Sequence, residues 1–154
     1  MNTYTAKIEW RRGDAKFTDR RYSRAHTWTF DGGAVVPGSS SPHSVPLPFS
    51  DERAVDPEEA LVAAASSCHM LFFVTGLARE GYVLDSYVDE AYGVMEKNAA
   101  GKLAMSRIVL RPRLVFSGEK QPGAAQVAAL HHWAHEECFI ANSIKAAVVI
   151  EPRE

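Results

Sequence analysis

The chain has 154 residues, 46% of them hydrophobic, so one domain spanning residues 1–154 with an ordinary apolar core is expected, needing neither disulfides nor metal. A formal net charge of −2 leaves no general basic field for nucleic acid or an anionic membrane, and the local arginine clusters (Arg11 to Arg24, Arg107 to Arg113) read as solvated strand faces. The opening residues MNTYTAKIEW lack the basic-then-apolar order of a signal peptide, which points to the cytoplasm and to reduced cysteines.

Residues 4–10 alternate as a strand should, 11–14 read as a turn, and 15–30 continue as one or two strands that end at Asp31-Gly32-Gly33. The Pro- and Ser-rich segment 37–50 cannot be regular and is long for a loop, a feature of lids and binding segments. Asp56-Pro57-Glu58-Glu59 then opens a helix. Aspartate caps the free amides, proline suits the first helical position, and the glutamates complement the positive end of the dipole. That helix should run to about Glu80, with Gly81 as its left-handed stop. Strands at 83–96 and 103–117 make a hairpin around Asn98–Gly101. Pro122 opens a second helix that ends near Cys138, and 146–151 is a last strand. The order predicts an α+β fold with helices packed on an antiparallel sheet.

From Ala60 to Ala78 the first helix carries nineteen residues without a formal charge. That is nearly enough to cross a bilayer, but Ser66, Ser67, Cys68, His69 and Thr75 interrupt it and acidic and basic residues flank it, so we read a buried central helix with no membrane role. Cys68 sits near its centre. A cysteine there is either a small hydrophobe or a nucleophile whose thiolate is stabilised by a cation from elsewhere, since the middle of a helix offers little help from the dipole. An arginine held by a carboxylate such as Glu58 could supply that cation. Ten residues at 1.5 Å each put Glu58 about 15 Å along the axis from Cys68, too far to share a site within one straight helix. If both act in one reaction, an antiparallel copy of the helix must bring them together, which requires a two-fold dimer with composite sites.

Cys138, 70 residues beyond Cys68, is the other cysteine. Two helices sharing a core could bring the thiols into disulfide range, and a sulfenic acid on one is then resolved by the other; two unrelated buried cysteines are the alternative. His131, His135 and Cys138 fall at i, i+4 and i+7, a face that zinc could use, although the axial spread of about 10 Å is long for one ion and no fourth ligand is evident. Walker, GxGxxG, GxSxG, HExxH and CxxC patterns are absent.

Residues 56–68, DPEEALVAAASSC, together with 138–145, CFIANSIK, resemble the OsmC/Ohr family of thiol peroxidases. The resemblance implies an intertwined homodimer with sheets wrapped around two long central helices and sites at the subunit interface. It implies that Cys68 is the peroxidatic thiol, Cys138 the resolving one, and Glu58 the carboxylate orienting an arginine, with Arg24 our choice and Arg53 the runner-up. It also implies an organic hydroperoxide as substrate, a dithiol as reductant, and no cofactor. Leu71, Phe72, Phe73, Trp133 and Phe139 would supply apolar surroundings. His69 after Cys68, and Phe139 where a proline is common, depart from the family pattern. Two other readings remain at this level: a non-enzymatic dimer holding a small apolar ligand with the help of the 37–50 loop, and a metal protein centred on His131, His135 and Cys138.

Overall fold

The computed structural model describes residues 1–153 and divides into two compact units, Met1–Ala60 and Leu61–Glu154. In the first unit, strands β1 (Ala6–Glu9), β2 (His26–Phe30) and β3 (Val35–Gly38) form an antiparallel sheet in that order. Gly33, at a φ of 85°, supplies the left-handed residue of the β2–β3 turn. Residues 15–25, expected to be strand, are not. Their bulk goes elsewhere: Phe17 and Tyr22 stack 4.9 Å apart and both pack on Trp10, whose indole N–H donates to the Ser23 carbonyl at 2.8 Å. This satisfies the aromatics within a closed excursion of the chain, and Arg20, at a φ of 63°, turns it.

The 37–50 segment is irregular, as expected, but it is anchored rather than loose. Ser39 is buried and its hydroxyl accepts the Asp51 amide at 2.9 Å, while Gly38 and Val55 form a parallel bridge. Gly38 has to be glycine: a Cβ there would stand 2.5 Å from Trp28 Nε1 and 2.6 Å from His26 Nε2, two atoms already hydrogen-bonded to each other.

Helix α1 (Pro57–Arg79) begins with a reciprocal capping box. The Asp56 carboxylate accepts the Glu59 amide at 2.8 Å and the Glu59 carboxylate accepts the Asp56 amide at 3.2 Å, two otherwise orphaned donors satisfied by two side chains. Glu59 is thereby committed to the cap. Gly81, with a φ of 75°, ends the helix as anticipated.

In the second unit the two expected long strands are each broken in two. They become β4 (Val83–Asp89), β5 (Tyr92–Lys97), β6 (Leu103–Leu110) and β7 (Pro112–Ser117). β4 pairs only with β7; β5 pairs with β6, which also carries β8 (Ala147–Ile150) in parallel, so the sheets are not wholly antiparallel. One long hairpin has been bent into two sheets. At the bend Pro112 has no N–H to give, and the Asp89 carboxylate takes over the bonding, accepting the Arg111 amide at 2.5 Å and the Ser66 hydroxyl of α1 at 2.5 Å. Helix α2 (Ala124–Glu137) follows, with Cys138 as its C-cap and a 3-10 turn at Ala141–Ser143.

Two apolar clusters result. Ala65 of α1 packs with Ile108, Leu110 and Ala146, while Phe73 and Leu77 pack with Ala134 of α2 and with Leu84 and Leu114 of the β4–β7 sheet. Five residues of α1 are buried (Ala65, His69, Phe73, Gly76 and Leu77), so within one chain the central helix expected from the sequence is buried along one face. On the other face Leu71 is 61% exposed and Val74 40% exposed, with Ala63, Ser67 and Ala78 beside them.

Replacing Asp89 by alanine leaves the Arg111 amide without its partner and unpins α1 from the bend. The expected cost is about 2 kcal/mol, read as a lower urea midpoint at unchanged slope; a midpoint equal to wild type would mean the bend holds without the carboxylate.

Candidate active site

Cys68 and Cys138 are brought together. Both are free thiols and they are neighbours, near enough for Cys68 to act on the protonation of Cys138. Their access to solvent differs: Cys68 is half-buried and Cys138 is 1% exposed. Burial first, and then the neighbouring Cys68 thiol, hold the Cys138 thiol above its ordinary pKa. Its position follows from local structure. As the residue that closes α2 it leaves helical geometry, and its sulfur accepts the Ala141 amide at 3.4 Å. Asn142 braces the same turn by donating to the Glu136 and Cys138 carbonyls at 2.8 and 3.1 Å.

The charged candidates lie in the first unit. Arg24 donates to the carbonyls of Arg20 and Tyr22 at 2.8 and 2.5 Å, and its guanidinium carbon lies 3.9 Å from the Tyr22 ring centroid. Arg53 forms a two-point contact with Asp51 at 3.1 and 3.2 Å, which holds the Asp51 carboxyl below its ordinary pKa. Glu58, half-buried in the first turn of α1, is not used by the capping box. It remains ten residues before Cys68 on one helix, so within a chain the axial separation of about 15 Å stands.

The apolar residues expected around the thiols divide. Phe72 meets Phe139 edge to face at 5.1 Å and Trp133 at 6.2 Å, forming an aromatic strip beside the cysteine pair. Phe73 instead belongs to the core and Leu71 faces outward.

The metal reading does not survive: among the described residues no three His, Cys, Asp or Glu side chains are placed to hold one ion. Cys138 is turned toward Cys68, and His131 is engaged elsewhere. Its Nδ1 lies 3.0 Å from Nε2 of His69, and both rings are buried. This histidine pair is what sequence reasoning missed. Its signal was available: His69 falls four residues after Ala65 and four before Phe73, on the buried stripe of α1. His131 also stacks on Phe73 with centroids 4.0 Å apart. One ring must donate and the other accept, so at least the accepting ring is neutral at their contact. Burial pushes the pKa of each to about 4, helped by His135 beside His69 and by His69 beside His131; Asp89 acts weakly in the other direction on His69.

Comparison with known proteins supplies a family and a fold. The profile of the OsmC-like protein family matches residues 50–153. The solved structure of an OsmC-like protein of unknown function from Vibrio cholerae O1 biovar eltor superposes with a TM-score of 0.97 at 51% identity, covering 99% of this chain and 100% of that one. The organic hydroperoxide resistance protein OhrB of Bacillus subtilis shares the fold at a TM-score of 0.70 and 15% identity, covering 99% and 98% of the two chains. An organic hydroperoxide resistance protein from Elizabethkingia anophelis does so at 0.70 and 12%, covering 99% and 94%. No curated protein sequence matches the chain.

The histidine pair makes stability depend on pH with a definite sign. In the unfolded chain a histidine titrates near 6.5, and in the fold near 4, so the unfolded state binds more protons between those values. The pair's contribution is complete above pH 6.5 and is lost as pH falls toward 4. Thermal melts from pH 7.5 to 4.5 should show a decreasing midpoint, and the double substitution His69→Leu with His131→Leu should flatten that decrease. An unchanged slope in the double variant would assign the acid sensitivity to other groups.

Proposed function

The chain belongs to the OsmC-like protein family, and on that footing we propose that it is a thiol-dependent peroxidase acting on organic hydroperoxides, and less well on hydrogen peroxide, as an intertwined homodimer in the cytoplasm. The observation that carries the proposal is the nearness of a half-buried thiol, Cys68, to a sealed one, Cys138. A peroxide can reach the first and not the second.

The chemistry runs in three balanced steps. The Cys68 thiolate attacks the terminal oxygen of ROOH, the O–O bond breaks, and the departing alkoxide takes a proton to leave as ROH, with Cys68 left as a sulfenic acid. The Cys138 sulfur then attacks Cys68 sulfur; the S–S bond forms, the S–O bond breaks, and water leaves. An external dithiol, which is oxidised to its own disulfide, returns the pair to two thiols. The nearness of the two thiols favours the second step because it shortens the search of the resolving group. The high pKa that burial gives Cys138 keeps it a thiol, so it does not compete for the peroxide. No metal or haem has a part in this sequence.

Activation of Cys68 calls for a cation, and here the dimer enters. The uncharged outer face of α1 leaves Leu71 and Val74 in water, an arrangement that a second copy of the helix running antiparallel would relieve. A membrane is the less suitable cover, because the opposite face of the same helix carries buried His69 and the Ser66–Asp89 bond. The antiparallel copy would place Glu58 of one chain near Cys68 of the other. Glu58 would there orient an arginine, Arg24 in our reading, toward the thiolate and the breaking O–O bond, where negative charge develops.

Three measurements test this. With cumene hydroperoxide and excess dithiol, Cys68→Ser should abolish consumption; equal rates in variant and wild type would end the peroxidase reading. After one equivalent of hydroperoxide, intact mass should show loss of two hydrogens in wild type and gain of one oxygen in Cys138→Ser. For the dimer, Leu71→Asp puts a charge on the apolar outer face of α1 that the second helix would cover, and should shift sedimentation to the monomer with loss of most activity. An unshifted dimer would place the interface elsewhere.

A further inference from the structure

His26 has both ring nitrogens committed, and its two partners leave it a single protonation state. The Trp28 indole N–H lies 2.6 Å from Nε2 and can only donate, so Nε2 accepts and carries no proton. Nδ1 lies 2.7 Å from the Arg24 carbonyl, which can only accept, so Nδ1 carries the proton and donates it. The ring is therefore neutral and fixed as the Nδ1–H tautomer. Gly38, the strand partner of His26, makes room for the bond from Trp28, because a Cβ there would stand within 2.6 Å of both bonded nitrogens.

What this ring holds is the main chain of Arg24. The Arg24 carbonyl takes the His26 proton, and the Arg24 amide donates to the Phe49 carbonyl at 2.9 Å, so the peptide groups on both sides of the residue are bound. The guanidinium is fixed at one end: Nη1 donates to the Arg20 and Tyr22 carbonyls, and its carbon lies over the Tyr22 ring. Nε and Nη2 have no partner among the described residues, and that edge of a guanidinium is one that a carboxylate meets at two points. All these contacts lie within the first unit. We propose that His26 is the positioning residue of the activating arginine. Its tautomer, locked by Trp28, fixes the Arg24 main chain so that the free edge of the guanidinium is presented to Glu58 and the Cys68 thiolate in the dimer. The inference rests on the reading of Arg24 given above. His26 acts through Arg24 and exchanges no proton with the peroxide, because both its nitrogens are engaged.

Nitrogen-15 spectra of the reduced full chain at pH 7.5 should show His26 with a protonated Nδ1 and a bare Nε2. Trp28→Phe, which removes the indole donor, should let the Nε2–H tautomer appear. The reverse tautomer or a charged ring in wild type, or an unshifted tautomer in Trp28→Phe, would overturn the proposal. Positioning is read at Cys68, in a Cys138→Ser background where it is the sole cysteine, as its rate of alkylation by iodoacetamide at pH 6. No peroxide takes part, so the result is independent of turnover, which the Cys68→Ser comparison tests separately. Arg24→Gln should slow alkylation. His26→Gln, which can still accept from Trp28 but has no donor at the Nδ1 position, should slow it about fivefold, the factor that goes with one net hydrogen bond. His26→Asn, whose amide N–H can stand in for Nδ1–H, should restore most of the rate; a merely structural role would leave it as slow as His26→Gln. Alkylation slowed by Arg24→Gln but unchanged in His26→Gln, or no recovery in His26→Asn, would overturn the role of His26 while leaving that of Arg24. Alkylation unchanged by Arg24→Gln would end the Arg24 assignment, and the role of His26 with it.

Discussion

Helix α1 has to serve two apolar clusters with one face, and it changes partner midway along its length. Ala65 packs against β6 and the residue before β8, whereas Phe73 and Leu77 pack against the β4–β7 sheet and α2. These partners belong to two different sheets, so the long hairpin that supplies both must bend, and it bends where Asp89 can bond at once to the Arg111 amide and the Ser66 hydroxyl. His69 lies at the changeover. It occupies a position where an apolar side chain would be expected and compensates for its buried nitrogen by bonding His131 of α2. The outer nitrogens of that pair, His69 Nδ1 and His131 Nε2, have no partner among the described residues, which makes the changeover more polar than a packed core normally tolerates.

The thiol pair inherits its geometry from this arrangement. Pinning α1 to α2 through Phe73, Ala134 and the histidines fixes the spacing of the two helices in the region between the cysteines, and the end of α2 then carries Cys138 to Cys68. Rigid elements rather than loops hold both sulfurs, with the 3-10 turn behind Cys138 donating an amide to its sulfur. The arginine is the exception. Arg24 is held by carbonyls and an aromatic ring of its own unit, and its approach to Cys68 belongs to the dimer proposed above.

The α1 start, the Gly81 stop, the second helix and the last strand were legible because each has a local cause: a cap, a positive φ, or an alternation of side chains. The 15–25 stretch misled because bulky residues favour a strand only when a neighbouring strand receives them; Trp10, Phe17 and Tyr22 receive one another instead. The break in the hairpin left only a faint trace in Pro112, since the need to bend comes from packing on α1. At the site, the cysteine pair was readable from motif and spacing. The histidine pair was not: its two members are 62 residues apart, and the apolar stripe that singles out His69 does not say which residue will face it.

By itself, then, the sequence determined that a long uncharged helix would carry one cysteine near its middle, that a second helix would end at the other, and that Glu58 and Cys68 could not meet within one helix. Those are consequences of helical rise, capping and charge, which act over a few residues. Only the tertiary structure decided that the two thiols are neighbours, that one is half-buried and the other sealed, and that α1 buries a single face while leaving Leu71 and Val74 uncovered. Contact and exposure depend on which strands close over which helix face, and that choice is made by packing between segments far apart in the chain.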